Sequence, residues 1–203
     1  MNQAKTEIKR VLAAHEPEVW SEEHLIPAAV LIPLYLKDDE LHVLLTVRTD
    51  QVEAHKGQIS FPGGMKEPDD SDMLTTALRE TEEEVAVAPA DVEILGQLDQ
   101  LISVTDFIIT PFVGMIPHPY EFRISEQEIA QLLEVPLSFF LDERNCRTEL
   151  KPFRGREITV YYFDYQGHTI WGVTARIMVG FLRLLQAADG NFLRRFPFIP
   201  NSH

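Results

Sequence analysis

A run of acidic residues at 80–84 carries carboxylates that can bind a metal ion or take part in catalysis. Glu80, Glu82, Glu83 and Glu84 follow directly after Arg79. In a helix, residues three and four apart share a face, so Glu80, Glu83 and Glu84 would have Cβ atoms about 5–6 Å apart. Arg79 can pair with Glu83 one turn on, but one cation does not neutralise three acids. The pattern indicates either a solvated acidic face or a site for a hard divalent cation such as Mg²⁺.

The segments around this run predict a strand, a glycine loop and a helix that would position it. The stretch ISFPGG at 59–64 is typical of a short strand that ends in a tight turn. Helix N-cap candidates follow, and apolar residues then recur at helical spacing from Leu74 to Val85. The candidates are Asp70, Ser71 and Asp72. The acids would therefore lie opposite a buried apolar face, next to a loop suited to phosphate.

This arrangement resembles the signature of the Nudix hydrolase family. The signature has a glycine, a spacer with a further acid, and an Arg-Glu pair followed after two residues by Glu-Glu. The residues that carry the resemblance are Gly64, Arg79, Glu80, Glu83 and Glu84. The spacer is one residue longer than the commonest form, so the upstream acid can be Asp69, Asp70 or Asp72. Ala86 stands where the family usually has a glycine.

The longer spacer is similar to that of the Nudix subgroup that hydrolyses coenzyme A. The flanking segments agree with this subgroup: AAVLIPLYL at 28–36, LLTVRTDQVEAHKGQISFPGG at 44–64, ITPFVG at 109–114, SEQEIAQLLEVPL at 125–137 and IWGVTARI at 170–177. Together they extend the resemblance from residue 28 to about residue 185. One position departs, because Glu53 stands where the subgroup carries a basic residue.

The resemblance implies metal-dependent hydrolysis of the diphosphate bond of coenzyme A or acyl-CoA. The products would be 3′,5′-ADP and 4′-phosphopantetheine or its acyl form, and the cofactor would be Mg²⁺ or Mn²⁺. Glu53 keeps a second substrate class open, another nucleoside diphosphate derivative such as ADP-ribose or a dinucleotide. A third hypothesis is a Nudix module that senses a nucleotide without cleaving it, and the intact acidic core counts against it.

Carried over from the resemblance, the candidate site residues fall into three groups. The metal ligands would be the acids of the run and a carbonyl of the glycine pair: Glu80, Glu83, Glu84 and Gly64. The catalytic group would include an arginine that orients the acids through salt bridges: Arg79, Glu83, Glu84 and Glu128. The substrate contacts would be Arg48, His55, Lys56, Gln58 and Gly63.

Several of these roles have alternatives. Either Glu83 or Glu84 would double as the general base, and Glu128 is a second candidate for that role. A favourable charge at the start of a predicted helix explains Glu128 equally well. Arg48 and Lys56 flank the loop before the glycines, where a solvent-exposed structural role is as good an explanation as contact with a phosphate.

Length, charge and cysteine content narrow the class of protein. A chain of 203 residues suits one domain. The net charge of −14 argues against nucleic-acid binding, and it requires a metal and local basic residues if the substrate is an anion. Cys146 is the sole cysteine, which fits a reducing compartment. No window reaches the roughly 18 apolar residues of a membrane span. These features predict a cytoplasmic protein that does not bind membranes.

The predicted fold class is α/β (α+β), a Nudix fold in which a mixed sheet lies between helices as an α/β/α sandwich. The elements are a helix at 2–15, strands at 28–36, 41–48 and 59–61, the acidic helix at 74–85, strands at 92–98 and 106–116, a short helix at 125–135, strands at 157–165 and 168–173, and a helix at 174–188. The predicted organisation is an N-terminal helical extension at 1–25, the Nudix domain at 26–188 and a C-terminal tail at 189–203. The aromatic tail is a candidate for docking on the domain or within a homodimer.

Overall fold

A computed structural model describes residues 2–20, 22, 24–49 and 57–188 of the chain. The α-helices are α1 (Asn2–Ala13), α2 (Met73–Val85), α3 (Leu137–Leu141) and α4 (Gly172–Ala188). The strands are β1 (Ile26–Lys37), β2 (Glu40–Arg48), β3 (Ile59–Ser60), β4 (Gly63–Met65), β5 (Glu93–Gln97), β6 (Leu101–Ile102), β7 (Phe107–Met115), β8 (Ile129–Pro136), β9 (Cys146–Phe153), β10 (Arg156–Tyr165) and β11 (His168–Trp171).

Strand β1 lies at the centre of an eight-stranded mixed sheet. Its near-continuous apolar sequence is typical of a strand that is buried on both faces. One edge pairs in parallel with β7, and the other pairs antiparallel with β4 near its start and with β2 near its end. Strands β3 and β8 extend the sheet from β2, and β5 and β6 extend it from β7. Strands β9, β10 and β11 form a separate antiparallel sheet.

Helices cover both faces of the larger sheet. Successive side chains of a strand point to opposite faces, and the buried residues of β1 and β2 divide accordingly. Ile32, Leu34, Val43 and Leu45 pack with residues of α1 and α4. Ala29, Leu31, Tyr35 and Leu44 belong to the core clusters that contain the α2 residues Ala77 and Val85. The predicted mixed sheet between helices is therefore confirmed.

Helix α2 begins at an N-cap that its sequence specifies and ends at a strained residue. Asp72 is the N-cap, and its Oδ1 accepts a hydrogen bond from the backbone N–H of Thr75 at 2.8 Å. Ala86 is the C-cap in the left-handed conformation, with φ 58° and ψ 33°. That conformation costs a residue with a Cβ about 1 kcal/mol and is usually occupied by glycine. The strain gives a physical reason for the glycine that the family signature carries at this position.

The predicted helix at 125–135 is wrong. Residues 126–128 form a turn, and β8 then pairs antiparallel with β2, with Ile129 opposite Arg48 and Val135 opposite Val43. The apolar residues Ile129 and Leu133 are four apart, a spacing that suits a helix face and also one face of a strand. The open edge of β2 decides between them, because pairing satisfies the backbone groups of both strands. The prediction also missed α3 and β9.

The predicted tail at 189–203 lies outside the described residues, and the division at residues 25 and 188 stays a prediction.

None of the helices in the described part of the chain is long and apolar enough to cross a membrane.

Helix α1 packs on β5 through a close contact at Gly96. A Cβ added to Gly96 would lie 2.5 Å from the Cβ of Leu12. We expect Gly96→Ala to lower the free energy of unfolding by about 1–3 kcal/mol, because overpacking forces the helix away from the strand. The measurement is equilibrium unfolding in urea.

A matched substitution serves as the control for this prediction. A Cβ on Gly180, within α4, would meet nothing within 4 Å. Gly180→Ala is therefore expected to stabilise the protein by up to about 1 kcal/mol through helix propensity. Similar effects of the two substitutions would contradict the packing of α1 against Gly96.

Candidate functional site

The guanidinium of Arg79 joins the acids of α2 to the loop that precedes the helix. Its Nε and Nη2 donate to the two carboxylate oxygens of Asp70, both at 3.0 Å. Its Nη1 donates to Glu80 at 2.9 Å and to Glu83 at 3.2 Å. Nη2 also donates to the carbonyl of Met65 at 3.0 Å. The planar fork of an arginine suits such bidentate pairing, so this one residue fixes several carboxylates at once.

Asp70 is the acid of the loop that anchors Arg79. It is buried, and it also accepts hydrogen bonds from the N–H of Glu67 and the hydroxyl of Thr76, each at 2.9 Å. The Arg79 guanidinium and these two donors hold the pKa of Asp70 well below its usual range. Of the three loop acids that the sequence leaves open, Asp72 caps α2 and Asp69 is exposed. Asp70 is therefore the one that contacts the arginine.

The glycine pair lies directly under the acids. A Cβ on Gly64 would be 2.4 Å from the carboxyl carbon of Glu80, so that carboxylate rests on the backbone of β4. A Cβ on Gly63 would be 2.3 Å from the carbonyl oxygen of Ala29 in β1, and Gly63 has φ 153°. The N–H of Gly63 donates to Glu84 at 3.3 Å. The loop thus requires glycine at Gly63, and a side chain at Gly64 would displace the Glu80 carboxylate.

Glu84 is an almost fully enclosed carboxylate, with 2% of the residue exposed. Besides the N–H of Gly63, its partner is Arg48, whose Nη1 lies 3.6 Å from Oε1. Burial raises the pKa of Glu84 to about 8, and the charges of Glu80 and Glu128 add to this, while Arg48 lowers it. Burial is also the main cause that raises the pKa of Glu80. With both acids ionised, a divalent cation would add to the compensation of their charge that Arg48 and Arg79 provide.

Arg48 and Glu128 reach the site through the junction of β2 and β8. The pairing of these strands has a register shift between Val47 and Arg48, a bulge of the kind that redirects a side chain. Arg48 Nε is buried without a hydrogen-bond partner in the described part of the structure. The backbone N–H of Thr49 donates to the carbonyl of Glu128 at 2.8 Å, which fixes the turn.

The structure brings together the acidic run, the glycine pair, Arg48 and Glu128. Glu83 lies at the rim, with 57% of its side chain exposed and a contact to Arg79. Gln58 joins through its backbone, since its carbonyl accepts from the N–H of Arg48 at 3.0 Å. His55 and Lys56 lie outside the described residues. Glu128 does not start a helix, so the helix-charge explanation for it is wrong. The pairing of Arg48 with Glu84 had no sequence signal, because it depends on the β-bulge.

The oxygen donors at this site suit a hard divalent cation. Within the described residues, no three His, Cys, Asp or Glu side chains converge closely enough to hold an ion by themselves. Mg²⁺ usually takes only one or two carboxylates and completes its shell with water and substrate phosphates. Glu80 and Glu84, two enclosed oxygen donors beside the glycine backbone, match that incomplete type of site.

Comparisons with known proteins match this chain to one family and to one fold. Residues 25–137 match the family model described as the NUDIX domain. A protein of Photorhabdus laumondii named "Uncharacterized Nudix hydrolase NudL" is 40% identical over 151 residues, which is 74% of this chain and 80% of that protein. A protein of the same name from Enterobacter sp. strain 638 is 41% identical over 151 residues, covering 74% of this chain and 78% of that protein. The crystal structure of a MutT/nudix family protein from Enterococcus faecalis superposes with a TM-score of 0.53 at 15% identity, over 96% of this chain and 79% of that one.

The pairing of Asp70 with Arg79 predicts an acid-dependent loss of stability. The pKa of Asp70 is lower in the folded protein than in the unfolded chain. Its contribution is therefore present above the unfolded value, near pH 4, and is lost as the pH falls towards the lower folded value. We expect Asp70→Asn to lower the melting temperature at pH 7 and to flatten its decline below about pH 4. Parallel pH profiles of the two proteins would contradict this.

The enclosed carboxylates predict that metal binding depends on Glu84. Mg²⁺ or Mn²⁺ should raise the melting temperature of the wild-type protein, since an ion that binds the native state stabilises it. We expect Glu84→Gln to lose this rise, because the amide carries no charge. Glu82→Gln on the exposed side of the same helix should keep it. The measurement is thermal unfolding with metal or with chelator, and a full metal response in Glu84→Gln would refute the assignment.

Proposed function

The chain belongs to the Nudix hydrolase family, whose members act on nucleoside diphosphate derivatives, and we propose that its substrate is coenzyme A or acyl-CoA. The reaction would be metal-dependent hydrolysis of the diphosphate bond to 3′,5′-ADP and 4′-phosphopantetheine or its acyl form. The observation that carries the proposal is the cluster itself, in which Arg79 holds Asp70, Glu80 and Glu83 beside the glycine loop. The choice of coenzyme A is supported by the longer spacer and the flanking segments that resemble the subgroup.

The acids of α2 would hold the metal and position the water. Glu80 and Glu84, with the carbonyl of Gly64 and with Glu83 from the rim, are the proposed ligands. A bound divalent ion would neutralise the diphosphate oxygens and make water a better nucleophile. Arg79 would act as a positioning residue, because its guanidinium is fully engaged with carboxylates and the Met65 carbonyl. Most of the catalytic effect in such phosphoryl chemistry is orientation and charge compensation.

Three acids are candidates for the group that accepts the proton of the attacking water. Glu84 is enclosed and bonded to Gly63, whereas Glu83 is open to solvent. Glu128 is only partly buried and lies close enough to Glu80 and Glu84 to raise their pKa values. The turn that carries Glu128 is held by Thr49, so its backbone is fixed relative to the acids.

Basic groups at the mouth of the site would meet the anionic substrate. The chain has a net charge of −14, so local cations must reverse the field at the diphosphate. Arg48 is the described candidate, because its Nε lacks a partner and its Nη1 is 3.6 Å from Glu84. Gln58 and the backbone of Gly63 are adjacent candidates. His55 and Lys56 remain proposals from the sequence alone.

A second substrate class follows from Glu53. This residue lies outside the described part of the chain, and it places a negative charge where the coenzyme A subgroup has a basic residue. A pocket altered in this way would favour another nucleoside diphosphate derivative, such as ADP-ribose or a dinucleotide. The cytoplasm is the compartment we propose, on the basis of the sole cysteine, and a homodimer stays a proposal that sedimentation would test.

Product analysis tests the proposed substrate. The purified protein is incubated with coenzyme A, ADP-ribose and NADH, each with Mg²⁺, Mn²⁺ or chelator, and the products are separated by chromatography. We expect metal-dependent release of 3′,5′-ADP from coenzyme A. Cleavage of another compound alone would favour the second substrate class, and no cleavage of any of them would count against both.

Variants of the acids test the proposed roles in the same assay. Glu83→Gln should lower the turnover number roughly 100-fold or more, and Glu82→Gln should leave it unchanged. If Glu128 is the base, Glu128→Gln should lower turnover while keeping the metal-induced rise in melting temperature, because it is not a metal ligand. Full activity of Glu83→Gln would overturn the site assignment.

A further inference from the structure

A partly open pocket lies beside α4, away from the acidic cluster. Its volume is about 860 Å³, and it lies between the helix, the hairpin of β9 and β10, and residues 98–102. Sites for small molecules usually measure about 300–1,000 Å³, so this volume suits a nucleotide. None of the described candidates for catalysis lines it. Helix α4 packs on the face of the sheet opposite α2, which separates the pocket from the metal site.

One face of α4 forms a wall of the pocket. Arg176, Gly180, Arg183 and Leu184 follow the spacing of a single helix face and all line it. Gly180 lies within a 17-residue helix, where glycine costs about 1 kcal/mol relative to alanine. No described neighbour requires the glycine, since a Cβ there would meet nothing within 4 Å. The effect of Gly180 is to keep this wall of the pocket open.

The pocket also holds arginines without acidic partners. Among the residues that the structure describes, no carboxylate forms an ion pair with Arg156 or Arg176, although Arg144 and Arg147 pair with nearby acids. Acids exceed basic residues by 32 to 18 in this chain, so partners are plentiful. Two of the three acids that line the pocket are already engaged, Asp99 with His15 and Glu22 with His24. The two arginines are thus available to an anion.

Aromatic and apolar side chains form the remaining surface. Arg183 donates to the hydroxyl of Tyr161 at 2.9 Å, and its guanidinium carbon lies 5.7 Å from that ring's centroid. Trp20 lines the pocket with 48% of its surface exposed, and Phe153 and Ile158 lie on the hairpin side. Aromatic rings stack well on bases, and arginine forks bind phosphate bidentately.

We propose that this pocket binds a phosphorylated nucleoside. Arg156 and Arg176 would contact the phosphate, and the aromatic side chains of Trp20, Phe153 and Tyr161 would contact the base. The ligand would be a separate nucleotide that binds independently of catalysis. The ADP end of the substrate does not fit this role, because its 5′-phosphate belongs to the diphosphate that would bind the acidic cluster on the other face of the sheet.

Direct binding of 3′,5′-ADP tests the pocket without requiring activity. The full chain is titrated calorimetrically in chelator, so that no metal at the acidic cluster retains the phosphate. We expect Arg176→Gln to weaken binding roughly tenfold, as for the loss of one charge-assisted hydrogen bond. Arg144→Gln removes the same charge outside the pocket and should bind like the wild type. Adenosine, which lacks the phosphates, should bind weakly and equally to all three proteins.

A variant that fills the pocket without destabilising the protein excludes misfolding as the reason for lost binding. Gly180→Leu places a side chain in the open space and improves helix propensity, so it should abolish binding while the melting temperature stays equal or rises. Absence of 3′,5′-ADP binding by the wild type, or wild-type affinity in both Arg176→Gln and Gly180→Leu, would overturn the proposal.

Kinetics then show whether this nucleotide is separate from the substrate. We expect Arg176→Gln to weaken 3′,5′-ADP binding while KM and kcat for coenzyme A stay unchanged. A raised KM with unchanged kcat would mean that the substrate itself enters this pocket, which would contradict the proposed separate ligand. A protein that binds 3′,5′-ADP here but cleaves no coenzyme A would contradict the proposed substrate and leave the pocket standing.

Discussion

The ion pair between Arg79 and Asp70 is the contact on which the rest of the site depends. Asp70 precedes α2 and Arg79 lies within it, so their bidentate hydrogen bonds fix the helix relative to the glycine loop. The same guanidinium then orients Glu80 and Glu83. Without this buried acid, the guanidinium could pair with the nearest carboxylate of the helix instead. Asp70 therefore orients the Arg79 guanidinium, and the guanidinium in turn orients the carboxylates of Glu80 and Glu83.

The second constraint is the close approach of α2 to the sheet. Gly63 lies against the β1 backbone at Ala29, where no Cβ fits, and Glu80 rests on Gly64, where a Cβ would displace its carboxylate. This approach encloses Glu84 and raises its pKa to about 8 through burial. Ionising an enclosed acid of this kind costs stability unless nearby cations compensate its charge. The fold accepts that cost where a metal and a diphosphate would offset it, as functional sites commonly do.

Charge is distributed unevenly over this acidic chain. Arg48 lies next to the acidic cluster, turned towards it by the bulge in β2, and its Nε lacks a partner among the described residues. Arg156 and Arg176 lie apart from it, in a pocket on the α4 face of the sheet. Arg156 and Arg176 line that pocket without an ion pair among the described residues, whereas elsewhere many arginines form surface ion pairs. A negatively charged protein that acts on nucleotides requires regions of positive electrostatic potential where they bind.

The sequence by itself determined the elements whose signals are local. The caps, the apolar period and the acidic face of α2 lie within about 20 residues, and the hairpins and the final helix follow from short alternating or helical patterns. Tertiary structure decided what depends on distant neighbours. Ile129 and Leu133 suit either a helix or a strand, and the open edge of β2 made them a strand. Three features of the site could be known only from the folded chain: the choice of Asp70 among the loop acids, the pairing of Arg48 with Glu84 and the placement of Glu128. Each depends on how segments of the chain pack together, which a local sequence pattern does not encode.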